Sequence, residues 1–96
     1  MNLQQENDLL LLSKRHNSVA FGKFYDKYAG AVFGIILKEI ANTNDAGKIL
    51  QDVFLTFNRT LKTRQCISEG VFICLNRITR KAIYNQLTSV QNTFAN

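Results

Sequence analysis

Residues 45–61 read DAGKILQDVFLTFNRTL, and the periodicity of this stretch decides the fold. Ala46, Ile49, Leu50, Val53, Phe54, Phe57 and Leu61 recur three or four apart, the spacing that gathers side chains on one side of an α-helix. That side belongs in a core. At about 100° per residue the opposite side carries Lys48, Gln51, Asp52, Leu55 and Arg59, so a leucine stands among polar groups where water is expected. A single exposed leucine ordinarily carries no meaning. Flanked by Gln51 and Asp52, it is also a candidate centre for a small docking patch.

The flanking sequence repeats the helical theme. Before it, the spacing predicts a long helix from Ser18 to about Ile40, with a seam of Phe21, Phe24, Tyr25, Tyr28, Val32, Ile35 and Ile36. Phe33, Leu37 and Ile40 add apolar surface away from that seam, so its second half is expected to be enclosed on several sides. Gly30 and Gly34, four apart, suggest a close helix crossing there. A shorter helix is predicted from Gln4 to Lys14, with Leu9, Leu10 and Leu12 packing on a neighbour. The chain breaks near His16, and Asn17 or Ser18 can cap the restart. Residues 41–44, ANTN, form a polar connection in which Asn44 or Asp45 can cap the helix of residues 45–61. After Leu61 a basic loop leads to Ser68 and Glu69, which can start a last helix reaching about Val90, with a frayed tail beyond Gln91.

Ninety-six residues, 46% of them hydrophobic, suit one domain with a single core. The chain has no proline and five glycines, too few turn signals for an all-β fold. The expected class is all-α: a compact bundle of three long helices plus a short N-terminal helix.

The net charge of +5 is unevenly placed. Through Asn58 the acidic and basic residues balance, whereas Arg59, Lys62, Arg64, Arg77, Arg80 and Lys81 face only Glu69 in the remainder. Such asymmetry suggests a polyanion partner, with nucleic acid and an acidic membrane surface as rivals and a merely solvated face as the bland alternative. On the last helix Val71, Leu75, Ile78 and Ala82 share one side, while Arg77, Arg80 and Tyr84 fall on the other with Lys81 beside them. Cations that hold phosphates, next to a ring that stacks on an unpaired base, suit single-stranded nucleic acid.

Other chemistries find little here. Cys66 and Cys74, with His16 as the one histidine, show no metal-ligand spacing and are expected as reduced thiols. The glycines form no phosphate cradle, and no acid-base pair or activated nucleophile appears, so neither an enzyme nor a cofactor is expected. Residues 1–12 lack the charged start of a secretory leader, and the apolar run from Tyr28 to Leu37 falls short of the ~20 residues that span a bilayer. A cytoplasmic location and no membrane partner are the expectation.

Several of these residues also fit a known pattern. Asp45-Ala46 followed by Gln51-Asp52-Val53-Phe54 resembles the D-A-E-D-x-x-Q-[DE]-x-F sequence in region two of bacterial sigma factors of the extracytoplasmic-function type. Ala20-Phe21 with Phe24-Tyr25-Asp26 and Tyr28 resembles the A-F-x-x-L-Y-x-x-Y of that family, and Leu75 with Arg77-Ile78 and Arg80 resembles its W-L-y-r-I-A-r-N segment. The order and spacing of the three segments, from about Leu9 to Leu87, make the resemblance more specific than any one of them. It implies a sigma region-two-like bundle that binds core RNA polymerase, at the clamp helices of its largest subunit, and that melts and reads the promoter minus-ten element on the non-template strand. It also admits an anti-sigma factor as a partner. Carried over, Asp45, Lys48, Gln51, Asp52 and Leu55 meet polymerase, and Arg59, Lys62, Arg64, Arg77, Arg80, Lys81 and Tyr84 meet DNA. The chain departs from the pattern at Gly47 and Lys48, where the family has two acids, at Cys74 in place of tryptophan, and at Lys81, Asn85 and Thr88. Loss of the acids weakens charge pairing with a basic clamp surface. The alternative is therefore a sigma-like helical interaction module without promoter activity.

Overall fold

The computed structural model of the chain describes residues 2–12, 17–63 and 70–95. They form four helices: α1 (Leu3–Leu12), α2 (Asn17–Glu39), α3 (Thr43–Thr63) and α4 (Val71–Ala95). The all-α expectation holds, as does the division into three long helices and one short one. The helix starts have local causes. Asn2 accepts the Gln5 amide through its Oδ1 at 2.8 Å while Gln5 accepts the Asn2 amide through its Oε1 at 2.8 Å, a reciprocal cap that satisfies two donors at the head of α1. At α3 the cap is Asn42, earlier than the predicted Asn44 or Asp45: its Oδ1 accepts the amides of Asn44 at 2.9 Å and Asp45 at 3.1 Å. Asp45 is left in the first turn, where its charge complements the helix dipole. Gly70 precedes α4 with φ of 88°, a left-handed conformation that suits glycine, and the predicted starters Ser68 and Glu69 lie outside the described residues. At the other end α4 passes Val90 and continues to Ala95, with no proline or glycine to stop it.

α2, α3 and α4 pack on one another, and α1 lies against α2. The core face of α3 is the one its periodicity marks: Ala46, Ile49, Val53, Phe54, Phe57 and Leu61 are buried, and Leu50 is half-buried against them. Phe57 sits edge-on to Phe24 of α2 at 5.8 Å between ring centroids, and to Phe54 at 6.1 Å. Phe54 in turn meets Tyr25 at 4.8 Å and Phe21 at 6.1 Å. These aromatic contacts join α2 to α3 in the tilted geometry that ring quadrupoles favour. On α2, Phe24, Val32 and Ile36 are buried, as is Ile40 just past its end, while Phe33, Ile35 and Leu37 pack partly buried against the core, so the second half of the helix is enclosed on several sides. α4 contributes Val71, Cys74, Leu75, Ile78 and Ile83.

Two expectations are corrected. A Cβ added at Gly30 or Gly34 would meet nothing within 4 Å, and both glycines are exposed, so they mark no close helix crossing. Cys74 is wholly buried and disulfide-bonded, whereas reduced thiols were expected. Cys66, the other cysteine of the chain, lies outside the described residues, as does His16. Disulfides persist in oxidising surroundings, so the cysteines give no support to a reducing, cytoplasmic location.

Buried hydroxyls complete the interior. Thr60 and Thr79 turn their Oγ1 groups back to the carbonyls of Thr56 at 2.8 Å and Leu75 at 2.7 Å, which lets two polar side chains enter the core satisfied.

Candidate functional site

The helix packing turns the charged residues of α3 and α4 outward. On α3, Lys48, Gln51, Asp52, Leu55 and Arg59 are exposed, with Lys62 further along, and Asp45 is half-buried at the start of the helix. Leu55 is 61% exposed, an apolar side chain directly opposite the buried stripe. On α4, Arg77, Arg80, Lys81 and Tyr84 are all exposed, and Tyr84, at 67%, is the most exposed large apolar residue among those described. The same outer side carries Ile73 and Leu87, also exposed, so the face mixes three cations with three apolar groups. Arg64 lies outside the described residues.

Packing then divides the α4 face in two. Arg77 and Lys81 border a groove of about 510 Å³ between α4 and α3, whose far wall is Asp52, Thr56 and Thr60 and whose floor includes Ile49 and Ile78. Asn85, Gln86 and Ser89 extend the α4 wall toward the C-terminal end. Arg80 and Tyr84 border a second groove, of about 380 Å³, between α4 and α2, together with Lys38, Glu39 and Leu87. The four α4 residues expected to meet DNA thus share one helix but flank two clefts, while Arg59 and Lys62 lie on α3. Asp52, expected on the polymerase face with Leu55, opens onto the first cleft opposite two cations. Its angular position explains this: about 60° from Leu55 around α3, it leans toward α4, as Thr56 does. Arg77 is steadied from behind, its Nη2 lying 3.8 Å from Sγ of Cys74.

Thr56, Thr60, Gln86 and Ser89 were not singled out by the sequence, and Asn85 only as a departure from the family pattern. Thr56 and Thr60 stand four apart on α3 and Asn85 and Ser89 four apart on α4, so each polar stripe is legible, but only the packing sets one across from the other.

A second polar cluster has a different character. Glu6 of α1 is 8% exposed, accepts a hydrogen bond from the Tyr28 hydroxyl, and pairs with Lys27 Nζ at 2.6 Å. The Lys27 ammonium also lies 5.0 Å from the Tyr28 ring centroid, and that ring stacks on Phe72 of α4 at 5.9 Å. Burial pushes the Tyr28 hydroxyl above its ordinary range, with the Glu6 hydrogen bond adding to the rise. Lys27 is likewise raised, chiefly by its hydrogen bond to Glu6 and against partial desolvation. Every charge in this corner has a partner inside the fold, so the cluster holds α1 in place.

Among the described residues no group of three or more His, Cys, Asp or Glu side chains is placed to hold a metal ion, and no helix is long and apolar enough to cross a membrane. No protein-family model, curated protein or solved structure matches the chain.

Proposed function

We propose that this chain is a transcription-initiation domain of the sigma region-two type, which docks on core RNA polymerase through α3 and holds the non-template strand of promoter DNA on α4. The observation that carries it is Tyr84: a ring 67% exposed on the helix side that also presents Arg77, Arg80 and Lys81. A tyrosine two-thirds exposed among cations gains little from the core, whereas on a single strand it stacks on a base while the cations hold the flanking phosphates. Leu55 supports the protein half, since an exposed leucine ringed by Lys48, Gln51 and Arg59 has the anatomy of a small apolar centre with a polar rim.

The test separates stacking from charge. With core polymerase and a pre-melted promoter fork, Tyr84→Ala weakens single-stranded binding by roughly 1 to 3 kcal/mol and duplex binding much less. Arg80→Glu weakens binding to all sequences and flattens the salt dependence by about one unit of slope. Equal loss on duplex and single strand in Tyr84→Ala would return that ring to a packing role.

A second proposal, a sigma-like interaction module without promoter activity, is favoured by two features. Lys48 and Gly47 remove the acids that a basic clamp surface would attract, and the disulfide at Cys74 is foreign to a reducing interior. For such a module, polymerase and the promoter fork give no binding at all.

A further inference from the structure

Among the described residues, three apolar side chains on the outer side of α4 contribute little to the core. Ile73 is 60% exposed, Tyr84 67% and Leu87 42%. At about 100° per residue they fall, with Arg77 and Arg80, within an arc of about 80° around the helix, and from Ile73 to Leu87 the stripe runs about 21 Å. Stacking on a base accounts for Tyr84. It does not account for Ile73 and Leu87, aliphatic groups with no ring to stack and no charge to meet a phosphate. A single wet leucine is ordinary, but three apolar groups in line among cations form a patch.

The charges around the patch define what would cover it. Arg77 and Arg80 lie within the stripe and Lys81 flanks it, while Lys38 of α2 stands on the rim of the α2–α4 groove with Arg80, Tyr84 and Leu87. Glu39 on that rim and Asp52 across the α3–α4 groove are the carboxylates nearby, so cations prevail by four to two. An anionic bilayer supplies both halves of the match without any complementary shape. Its phosphates meet arginine and lysine, its acyl boundary takes aliphatic side chains, and the ring of a tyrosine sits at the level between. The long stems of the cations let their charges stay among the headgroups while shorter apolar neighbours go deeper.

We propose that the outer face of α4 docks on an anionic membrane surface, with Ile73, Tyr84 and Leu87 in the boundary between headgroups and acyl chains and with Arg77, Arg80, Lys81 and Lys38 on lipid phosphates. No helix of the described residues is long and apolar enough to cross a membrane, and lying on one does not require it. The expectation of no membrane partner came from the lack of a leader and of a spanning run, and this contact uses neither. The inference goes beyond the nucleic-acid reading and is separable from it, because Ile73 and Leu87 serve the lipid contact alone.

Sedimentation of the full chain with vesicles tests it, at low salt, using phosphatidylcholine alone and phosphatidylcholine with about one third phosphatidylglycerol. The wild type is expected on the anionic vesicles and not on the neutral ones. Ile73→Ser combined with Leu87→Ser weakens vesicle binding about fivefold or more. Binding of a single-stranded oligonucleotide, followed by fluorescence anisotropy, keeps its wild-type strength in that variant. Arg80→Glu weakens both, on vesicles by about fivefold for the lost cation and further for the added acid. Each serine substitution is also made alone, and circular dichroism identifies the folded variants on which the comparison is made. No binding to anionic vesicles, or equal binding to the two kinds, overturns the proposal and leaves the nucleic-acid reading standing. Vesicle binding that survives the serines in folded protein is adsorption by charge alone and overturns the docking of the stripe. Equal loss on vesicles and oligonucleotide places Ile73 and Leu87 on the nucleic-acid face and overturns it too. Serine-sensitive vesicle binding without any oligonucleotide binding upholds the proposal and removes the nucleic-acid reading instead.

Discussion

Two polar regions of this small bundle obey opposite rules. In the α1–α2 corner a buried carboxylate is answered within the fold by Tyr28 and Lys27. On the outer side of α4 and across the α3–α4 groove, Arg80, Lys81, Tyr84 and Asp52 make no such internal bonds among the described residues. Burial is the reason for the difference. A carboxylate taken out of water without partners costs several kcal/mol, so Glu6 is tolerated at 8% exposure only because donors meet it. A hydrated lysine or arginine needs none. Polar residues of the first kind report on stability and those of the second on what the molecule meets, so substitutions should sort into two groups with little overlap.

The largest expected effect lies beneath both regions. Phe57 is wholly buried and touches the rings of both Phe24 and Phe54, so Phe57→Ala leaves a cavity at the junction of α2 and α3. We expect a loss of about 3 to 5 kcal/mol in urea unfolding, enough to remove much of the stability of a domain this size. A loss below about 1 kcal/mol would mean that the aromatic cluster is not the structural centre assigned to it.

Next comes the corner itself. Tyr28→Phe keeps the ring on Phe72 and removes only the hydroxyl, leaving Glu6 buried with Lys27 alone. The cost is expected at about 1 to 3 kcal/mol, the penalty of an under-satisfied buried acceptor. Nucleic-acid affinity should not change. A variant that bound less tightly yet unfolded like the wild type would erase the distinction between the two regions.

Alkali tests the same corner without mutation. Both Tyr28 and Lys27 have folded-state pKa values raised above their ordinary ones, so the folded chain holds these protons more tightly than the unfolded chain does. Their contribution is fully present below about pH 10, where the free groups begin to titrate, and it is lost as pH rises through the raised folded values. Unfolding midpoints should therefore fall more steeply above about pH 10 in the wild type than in Tyr28→Phe. Parallel curves for the two proteins would remove the linkage.

The same division explains what the sequence disclosed. The core face of α3 and the outer placement of Arg77, Arg80, Lys81 and Tyr84 were legible because a single helix period fixes both. The partners of Glu6 were not, since Lys27 and Tyr28 stand more than twenty positions away and only the docking of α1 on α2 brings them near. Gly30 and Gly34 misled for a related reason: their spacing permits a close crossing, but whether a neighbour uses it depends on tertiary packing. Asn42 caps α3 although the sequence pointed to Asn44 or Asp45, because three consecutive candidates, Asn42, Thr43 and Asn44, precede Asp45, and backbone geometry chooses among them. The grooves lie between helices, and one-dimensional periodicity does not show which stripes will face each other.

The smallest effect on the fold belongs to Leu55, and it tests the outer region most directly. At 61% exposure on the side of α3 away from Phe57, Leu55 has little packing to lose, so Leu55→Glu should change stability by no more than about 0.5 kcal/mol. Its consequence is expected elsewhere. A glutamate would put a desolvation cost at the centre of the proposed polymerase contact while leaving Lys48, Gln51 and Arg59 around it, and core polymerase capture should weaken at least tenfold, or about 1.4 kcal/mol. Asp52→Asn, one turn away and opening onto the α3–α4 groove, should leave that capture almost unchanged. If Leu55→Glu and Asp52→Asn weaken polymerase capture alike, the two residues share one protein-binding face that reaches the edge of the groove. If Leu55→Glu is as neutral in binding as it is in stability, α3 carries no docking centre and Leu55 is one more leucine left in water.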